Sequence, residues 1–404
     1  MISLNQAHKE ITRLQSLTPI VMPLERALGF VCAEDVHAAA SCPSVDSSLK
    51  DGFAVIAGDI DNASDETPVE LSVIGALVAG DDCDSLTVEK GKAVRIMTGA
   101  PVPMGATSVV ASEFTESKNN HVIVRADARV GRNVLREGSD IKSGQLVLSR
   151  GTILRPAHLG LLASAGVGSL LCYPSVKVAI AATGSELVWP GEEVTPGKVA
   201  ASNMVTARAE LERLGIRAST HIVRDNLDGL KKQFSELVGD VDLLITCGGV
   251  LDGDKDLTME AMERIGMEKI FHRVRIGPGK GACLGRVGNT VVFNLPGGPP
   301  SNHVALLLLA LPGCRQLMGF SNCFPVKRNV LIKQDLFGQR GWTQLFYSRV
   351  EYENNSLVAT PLHNLGRLEA MGASNALVML PEDCKKLEIG KYAPAWIFNS
   401  NDVF

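Results

Sequence analysis

The sequence predicts a multidomain protein of α/β plus β class. The order is a helical and mixed N-terminal domain, a β-rich domain, a doubly wound α/β domain and a C-terminal β-barrel. Three observations carry this. The 404 residues exceed what one domain of roughly 100–200 residues uses. Short β-like runs between turn residues recur over 50–148 and again after Gly319. Between these regions, from Ser175 onward, strand-like apolar runs alternate with segments of helical period, the signature of a mostly parallel sheet covered on both faces.

Taken in order, Leu4, Ala7, Ile11, Leu14 and Leu17 mark one face of an amphipathic helix over 4–17, stopped by Pro19 and Pro23. Residues 51–89 hold ten acids and no Lys or Arg, an anionic segment with β-like runs such as 70–77. Similar runs follow at 109–112, 122–124 and 146–148, and a second helix begins over 156–162. Strands are then expected at 176–182, 217–223, 242–247 and 290–294. Helices are expected at 203–214 behind a Ser202/Asn203 cap, near 226–237, at 255–265 and at 301–311. Strands at 330–333, 344–352, 376–380 and 395–398 suggest the small barrel. The expected domains are 1–49 with 144–174, then 50–143, 175–320 and 321–404.

Composition excludes several functions. With 45% hydrophobic and 21% charged residues the chain is a folded globular protein. A net charge of −4 lacks the broad basic surface that nucleic-acid binding uses. The longest apolar runs, 304–311 and 159–172, fall short of the roughly 18 residues of a membrane span. No basic cluster precedes an apolar core at the N-terminus, so a cytoplasmic protein is expected. The nine cysteines show no CxxC pair and read as reduced core residues. Neither HExxH nor GxSxG occurs.

In an open α/β sheet, ligands bind beyond the carboxyl ends of the strands. The first strand leads into Thr183-Gly184-Ser185-Glu186 and the second into Arg224-Asp225-Asn226. The third leads into GGVLDGDKD (Gly248, Gly249, Val250, Asp252, Asp254, Asp256), and a later one into LPGGPPSN with Pro296 and Gly297. The carboxylates could hold a divalent cation, and the small residues let backbone N–H groups approach phosphate. One such loop is explained by turn chemistry alone; four on one edge point to a site, with solvated loop acids as the alternative.

Residues 269–286 carry five Lys or Arg and no acid, around Gly277-Pro278-Gly279-Lys280-Gly281. Such a run is either a solvated face or an anion site, and it lacks P-loop spacing. Upstream, DGFAV (51–55), RIMTGAPVP (95–103) and REGSDI (136–141) stand out. The prolines after Thr98-Gly99-Ala100 fix a rigid loop, which could equally be a structural turn.

Together these strings resemble the molybdopterin molybdenumtransferases, the bacterial MoeA proteins and the E domain of gephyrin. DGFAV, RIMTGAPVP, REGSDI, ATGSEL (182–187), IVRDN (222–226), CGGV…GDKD and LPGGPPSN occur in the same order along nearly the whole chain. The resemblance implies an elongated homodimer whose site borrows residues from the partner's β-rich domain. It also implies adenylated molybdopterin and molybdate as substrates, with Mg²⁺ or another divalent cation assisting release of AMP. Asp51, Thr98 and Asp140 match the family's polar positions upstream, and Glu186, Asp225 and Asp256 match its acidic positions on the α/β domain.

On that basis the catalytic candidates are Asp51, Asp140, Glu186, Asp225 and Asp256, of which Glu186, Asp225 and Asp256 would hold the metal. Substrate would meet Thr98, Thr183, Gly184, Ser185, Gly248, Gly249, Val250, Arg273, Lys280, Pro296 and Gly297. A molybdopterin adenylyltransferase and apo-molybdoenzymes are the implied protein partners. The chain departs from the family at Leu49-Lys50, at Gly277 and Gly281 of the usual KPGKP, at Gly298 of the usual LPGNP, and near Leu365-Gly366-Arg367. A non-catalytic paralogue that binds molybdopterin as carrier or scaffold is the alternative these departures favour. A nucleotide enzyme unrelated to molybdenum would leave the upstream strings without a role.

Overall fold

The computed structural model describes residues 1–248 and 257–398. Two compact units emerge, one formed by Ile20–Cys172 and the other by Met1–Pro19 with Tyr173–Phe404.

The unit Ile20–Cys172 is built on a six-stranded sheet in the spatial order Ser108–Ala111, Gly52–Val55, Lys92–Ile96, Val69–Leu77, His121–Val124, Thr115–Lys118. Phe53 and Val55 pack into one apolar cluster while Ala54 packs into another, so both faces of this strand are covered and it reads as a continuous apolar run. Gly52 is required where it stands, because a Cβ would collide with the Val110 carbonyl of the neighbouring strand. A three-stranded sheet of Ile20–Pro23, Ser169–Tyr173 and Val31–Cys32 packs with the helix Pro156–Ser164 around Leu154, Leu162 and Leu170.

The larger unit contains the doubly wound sheet, in the order Ala218–Val223, Val178–Thr183, Leu243–Cys247, Thr290–Leu295, Cys283–Val287, Glu268–His272. The first four strands are parallel and the last two antiparallel. Alternation within the strands sets the layers. Val178 and Ile180 face the helices Leu4–Thr12, Ser202–Arg213 and those beyond Pro299, whereas Ala179 and Ala181 face Leu227–Asp240 and Leu257–Arg264. Both faces are buried, as the apolar runs required.

Several elements differ from the sequence reading. The first helix ends at Thr12, before either proline, with a Ser3/Gln6 capping box at its start; Leu14 stays buried beyond its end. The helix Ser202–Arg213 begins behind Ala201, with no side-chain cap. The helix expected over 301–311 starts earlier, at Pro299, because prolines fit a first turn whose N–H groups have no intrahelical partner to lose. It then widens into a π-turn over Leu306–Ala310 and continues as Leu311–Leu317, the turn preceding Pro312, which has no N–H to donate. The two ends of the basic run 269–286 belong to the antiparallel strands Glu268–His272 and Cys283–Val287, paired through Glu268 opposite Arg286, while Arg273, Arg275 and Lys280 lie in the connection between them.

The C-terminal strands close a five-stranded barrel: Thr343–Glu353 pairs with Ser356–Pro361, then Lys327–Ile332, Tyr392–Ile397 and Ala376–Leu380, which returns to Thr343–Glu353. Val330, Ile332, Val350, Val378 and Ala393 fill it. The seven-residue helix Arg367–Ala373, not anticipated from sequence, lies between two of its strands.

Candidate functional site

The carboxyl ends of the parallel strands open into a cleft of about 680 Å³. Its lining includes Thr183, Glu186, Asp225, Gly248 and Gly297, so all four strand-end loops reach it. The parallel register explains why: Val178–Thr183, Ala218–Val223, Leu243–Cys247 and Thr290–Leu295 end on the same side of the sheet. Thr183, at the end of its strand, is buried, and its hydroxyl accepts from Thr258 Oγ1 at 3.1 Å. Gly184 N–H donates to Val223 O at 3.1 Å, tying the first loop to the second strand.

Ser185 and Asp225 are held to each other twice. Ser185 N–H donates to Asp225 Oδ2 at 3.2 Å, and Asp225 N–H donates to Ser185 Oγ at 3.2 Å. This fixes the second loop's carboxylate at the cleft while leaving it in contact with solvent. The Glu186 carboxylate folds back over Gly184, within 2.8 Å of where a Cβ on that glycine would stand. In the fourth loop, Asn203 Nδ2 donates to Gly297 O at 2.8 Å and Asn302 Nδ2 donates to Pro296 O at 2.9 Å, so two side-chain amides shape the LPGG turn. Cys247 lines the floor, and burial pushes its thiol up to about 11, so it stays protonated at neutral pH.

Other residues of the cleft were not legible in the sequence. Leu187–Val188 pairs in parallel with Val199–Ala200, turning the intervening segment back so that Val194 and Lys198 join the lining. Leu368, from the short helix Arg367–Ala373, also reaches it. Lys198 and Leu368 lie in stretches without strand or helix period, so only the folded backbone reveals them.

The upstream candidates lie in the unit Ile20–Cys172. Asp51 Oδ1 accepts from both Thr98 N–H at 2.7 Å and Thr98 Oγ1 at 2.8 Å. These donors hold the Asp51 carboxyl below its ordinary range, backbone donation being the larger cause. DGFAV and RIMTGAPVP, already paired as strands through Gly52 opposite Ile96, are thereby joined at Asp51 and Thr98 as well. Asp140 is exposed on a turn whose N–H donates to Cys42 O at 3.1 Å.

Arg273 and Lys280 are not among the residues that line the large cleft. Lys280 lies over the Trp342 ring at 5.6 Å, and neighbouring Arg275 pairs with Glu382 at 3.4 Å. Instead, the 277–281 and 365–367 loops meet at a second cavity of about 340 Å³, lined by Pro278, Tyr347, His363 and Arg367 among others. Gly249, Val250, Asp252, Asp254 and Asp256 lie outside the described residues, so of the three expected metal ligands only Glu186 and Asp225 are described. Among the described residues no group of three or more His, Cys, Asp or Glu forms a metal cluster.

Comparison with known proteins identifies the family and the fold. Residues 2–166 match the MoeA N-terminal region (domain I and II), and residues 179–316 match the probable molybdopterin binding domain. Molybdopterin molybdenumtransferase 2 of Mycobacterium tuberculosis is 32% identical over 401 residues, covering 97% of this chain and 98% of that protein. The molybdopterin molybdenumtransferase of Staphylococcus epidermidis is 29% identical, covering 99% of this chain and 96% of that one. Among solved structures, a molybdopterin biosynthesis MoeA protein from Pyrococcus horikoshii superposes with a TM-score of 0.86 at 28% identity, over 99% of both chains. With matching domains in the same order and a full-length relative above 30% identity, the chain belongs to the molybdopterin molybdenumtransferase family, enzymes of molybdenum cofactor biosynthesis.

Proposed function

We propose that this protein transfers molybdenum from molybdate into adenylated molybdopterin and releases AMP in a Mg²⁺-dependent step. The observation that carries the proposal is the 680 Å³ cleft, whose lining joins glycines for close backbone approach to carboxylates from two strand-end loops. Gly248 and Gly297 present backbone without side chains, which suits an extended ligand bearing a phosphoanhydride. The first N–H groups of the helix Ser202–Arg213 have no side-chain cap and begin at the same cleft, a favourable place for phosphoryl charge.

The donor set fits a hard divalent cation, because Glu186 and Asp225 offer carboxylate oxygens and remain in contact with solvent. Asp256 would be the third such donor. When bound, Mg²⁺ would offset charge on the phosphoanhydride. The residues of the chain do the remaining work. The paired hydrogen bonds of Ser185 hold Asp225 in one orientation, and Gly248 and Gly297 admit the phosphates to hydrogen-bond distance of backbone. The anhydride is thereby oriented for attack by water or a molybdate oxygen, with AMP as the leaving group.

The active form in this reading is a cytoplasmic homodimer. Asp51, Thr98 and Asp140 of one chain complete the cleft of the other, because a segment with ten acids and no Lys or Arg is poorly suited to hold an anion by itself. A molybdopterin adenylyltransferase would supply the substrate and apo-molybdoenzymes would take the product. Asp225→Asn and Asp256→Asn test the reading: each keeps its size, loses charge, and should slow AMP release. Near-normal AMP release from both variants would favour a carrier that binds molybdopterin without turning it over.

A further inference from the structure

Among the described residues lining the large cleft, two are carboxylates, Glu186 and Asp225, and the one cation is Lys198. Two carboxylates repel a phosphoryl group, so an anionic ligand in this cleft needs positive charge beyond that of any bound metal. Lys198 arrives there through the pairing of Leu187–Val188 with Val199–Ala200, which turns the intervening segment back to the strand ends. Its ammonium donates to Ser185 O at 2.7 Å. That carbonyl belongs to the residue that holds Asp225 by its N–H and hydroxyl.

This tether uses one of three ammonium protons and leaves two for a ligand. It also places the charge at the loop between Thr183 and Glu186, so less side-chain freedom is lost when a ligand binds. The side chain is exposed, and its removal leaves no buried group without a partner.

We infer that Lys198 is a substrate-binding residue whose ammonium takes a non-bridging phosphoryl oxygen of a nucleotide held in this cleft. The inference rests on the reading that the cleft accepts an adenylated substrate. It adds a residue that reads the phosphate rather than the pterin.

The test uses the full-length protein and two probes, AMP and adenosine, titrated calorimetrically in EDTA so that no divalent cation contributes. Wild type should bind AMP more tightly than adenosine. Lys198→Gln should lose about tenfold in AMP affinity, as expected for a charge-assisted hydrogen bond. Its adenosine affinity should not change. Lys198→Arg, which keeps the charge, should retain most of the AMP preference, and added salt should weaken AMP binding more in wild type than in Lys198→Gln. Equal AMP affinity in wild type and Lys198→Gln overturns the inference and leaves the lysine as a tether for its own loop. A wild type without preference for AMP over adenosine also overturns it. Failure of the functional proposal reads differently: AMP would bind through Lys198, yet no molybdenum transfer would follow.

Discussion

Gly248 leaves its strand so close to Thr183 that a Cβ on the glycine would stand 2.7 Å from the Thr183 carbonyl oxygen and 2.8 Å from its hydroxyl. The glycine also adopts φ +121°, a conformation that side chains resist. The first and third strand ends therefore meet through bare backbone. Gly248→Ala should cost more than about 1 kcal/mol of stability in denaturant titration, through clash and strain together. It should also weaken AMP binding; unchanged stability and affinity would contradict this close approach.

Asp225→Asn can still accept from Ser185 N–H but carries no charge. The melting temperature should stay near that of wild type while AMP release slows by roughly 10²-fold, an estimate extended from losses around metal ligands. The Mg²⁺ concentration for half-maximal release should rise in the same variant. A variant with wild-type rate and Mg²⁺ dependence would remove Asp225 from the metal set.

Thr98 keeps the Asp51 carboxyl acidic, and Thr98→Val removes one of its two donors while preserving shape. The folded carboxyl titrates below its unfolded value of about 3.9. Its contribution is therefore present above that value and lost as pH falls through the lower folded one. In Thr98→Val the Asp51 side-chain carbon, followed by NMR, should titrate at higher pH than in wild type. An unmoved titration would mean that the hydroxyl does not set the acidity.

Burial pushes both His8 and His303 down to about 4. His8 Nε2 bonds Leu308 O at 3.1 Å and so carries its proton there, while His303 Nδ1 lies 3.0 Å from Tyr347 Oη. Between pH 6.5 and about 4 the unfolded chain binds protons that the folded chain does not, so stability falls as pH falls through that window. Each histidine contributes a slope of up to about 1.4 kcal/mol per pH unit. Denaturation midpoints at pH 7 and pH 5 should differ less in His303→Gln than in wild type; identical differences would show that His303 charges freely in the fold.

The doubly wound sheet was legible because its strands are buried on both faces. Ala179, Ile180 and Ala181 form an unbroken apolar run, and Met204, Ala207 and Leu211 recur at helical spacing. The strands Glu268–His272 and Cys283–Val287 were not legible. Glu268–His272 is the edge strand and Cys283–Val287 lies next to it, exposed Lys269 and half-buried Arg286 break the apolar pattern, and a glycine loop separates them. The same contrast governs the site. Thr183, Asp225, Gly248 and Gly297 follow strands directly, so the strand-end rule finds them, whereas Lys198 and Leu368 reach the cleft through a folded-back segment and a seven-residue helix.

If the active form is the proposed homodimer with a shared site, an Asp51→Ala chain mixed with a Glu186→Ala chain should recover AMP release, because one of the two sites in the mixed dimer would keep both acids. If the chains exchange and the mixture stays as inactive as either parent, the catalytic acids come from one chain.

The most direct test supplies purified protein with adenylated molybdopterin, molybdate and Mg²⁺, then follows AMP release and reconstitution of an apo-molybdoenzyme. The account requires AMP release that depends on both molybdate and Mg²⁺, together with active molybdoenzyme. Folded protein that binds the adenylated substrate but yields neither AMP nor active molybdoenzyme would contradict it.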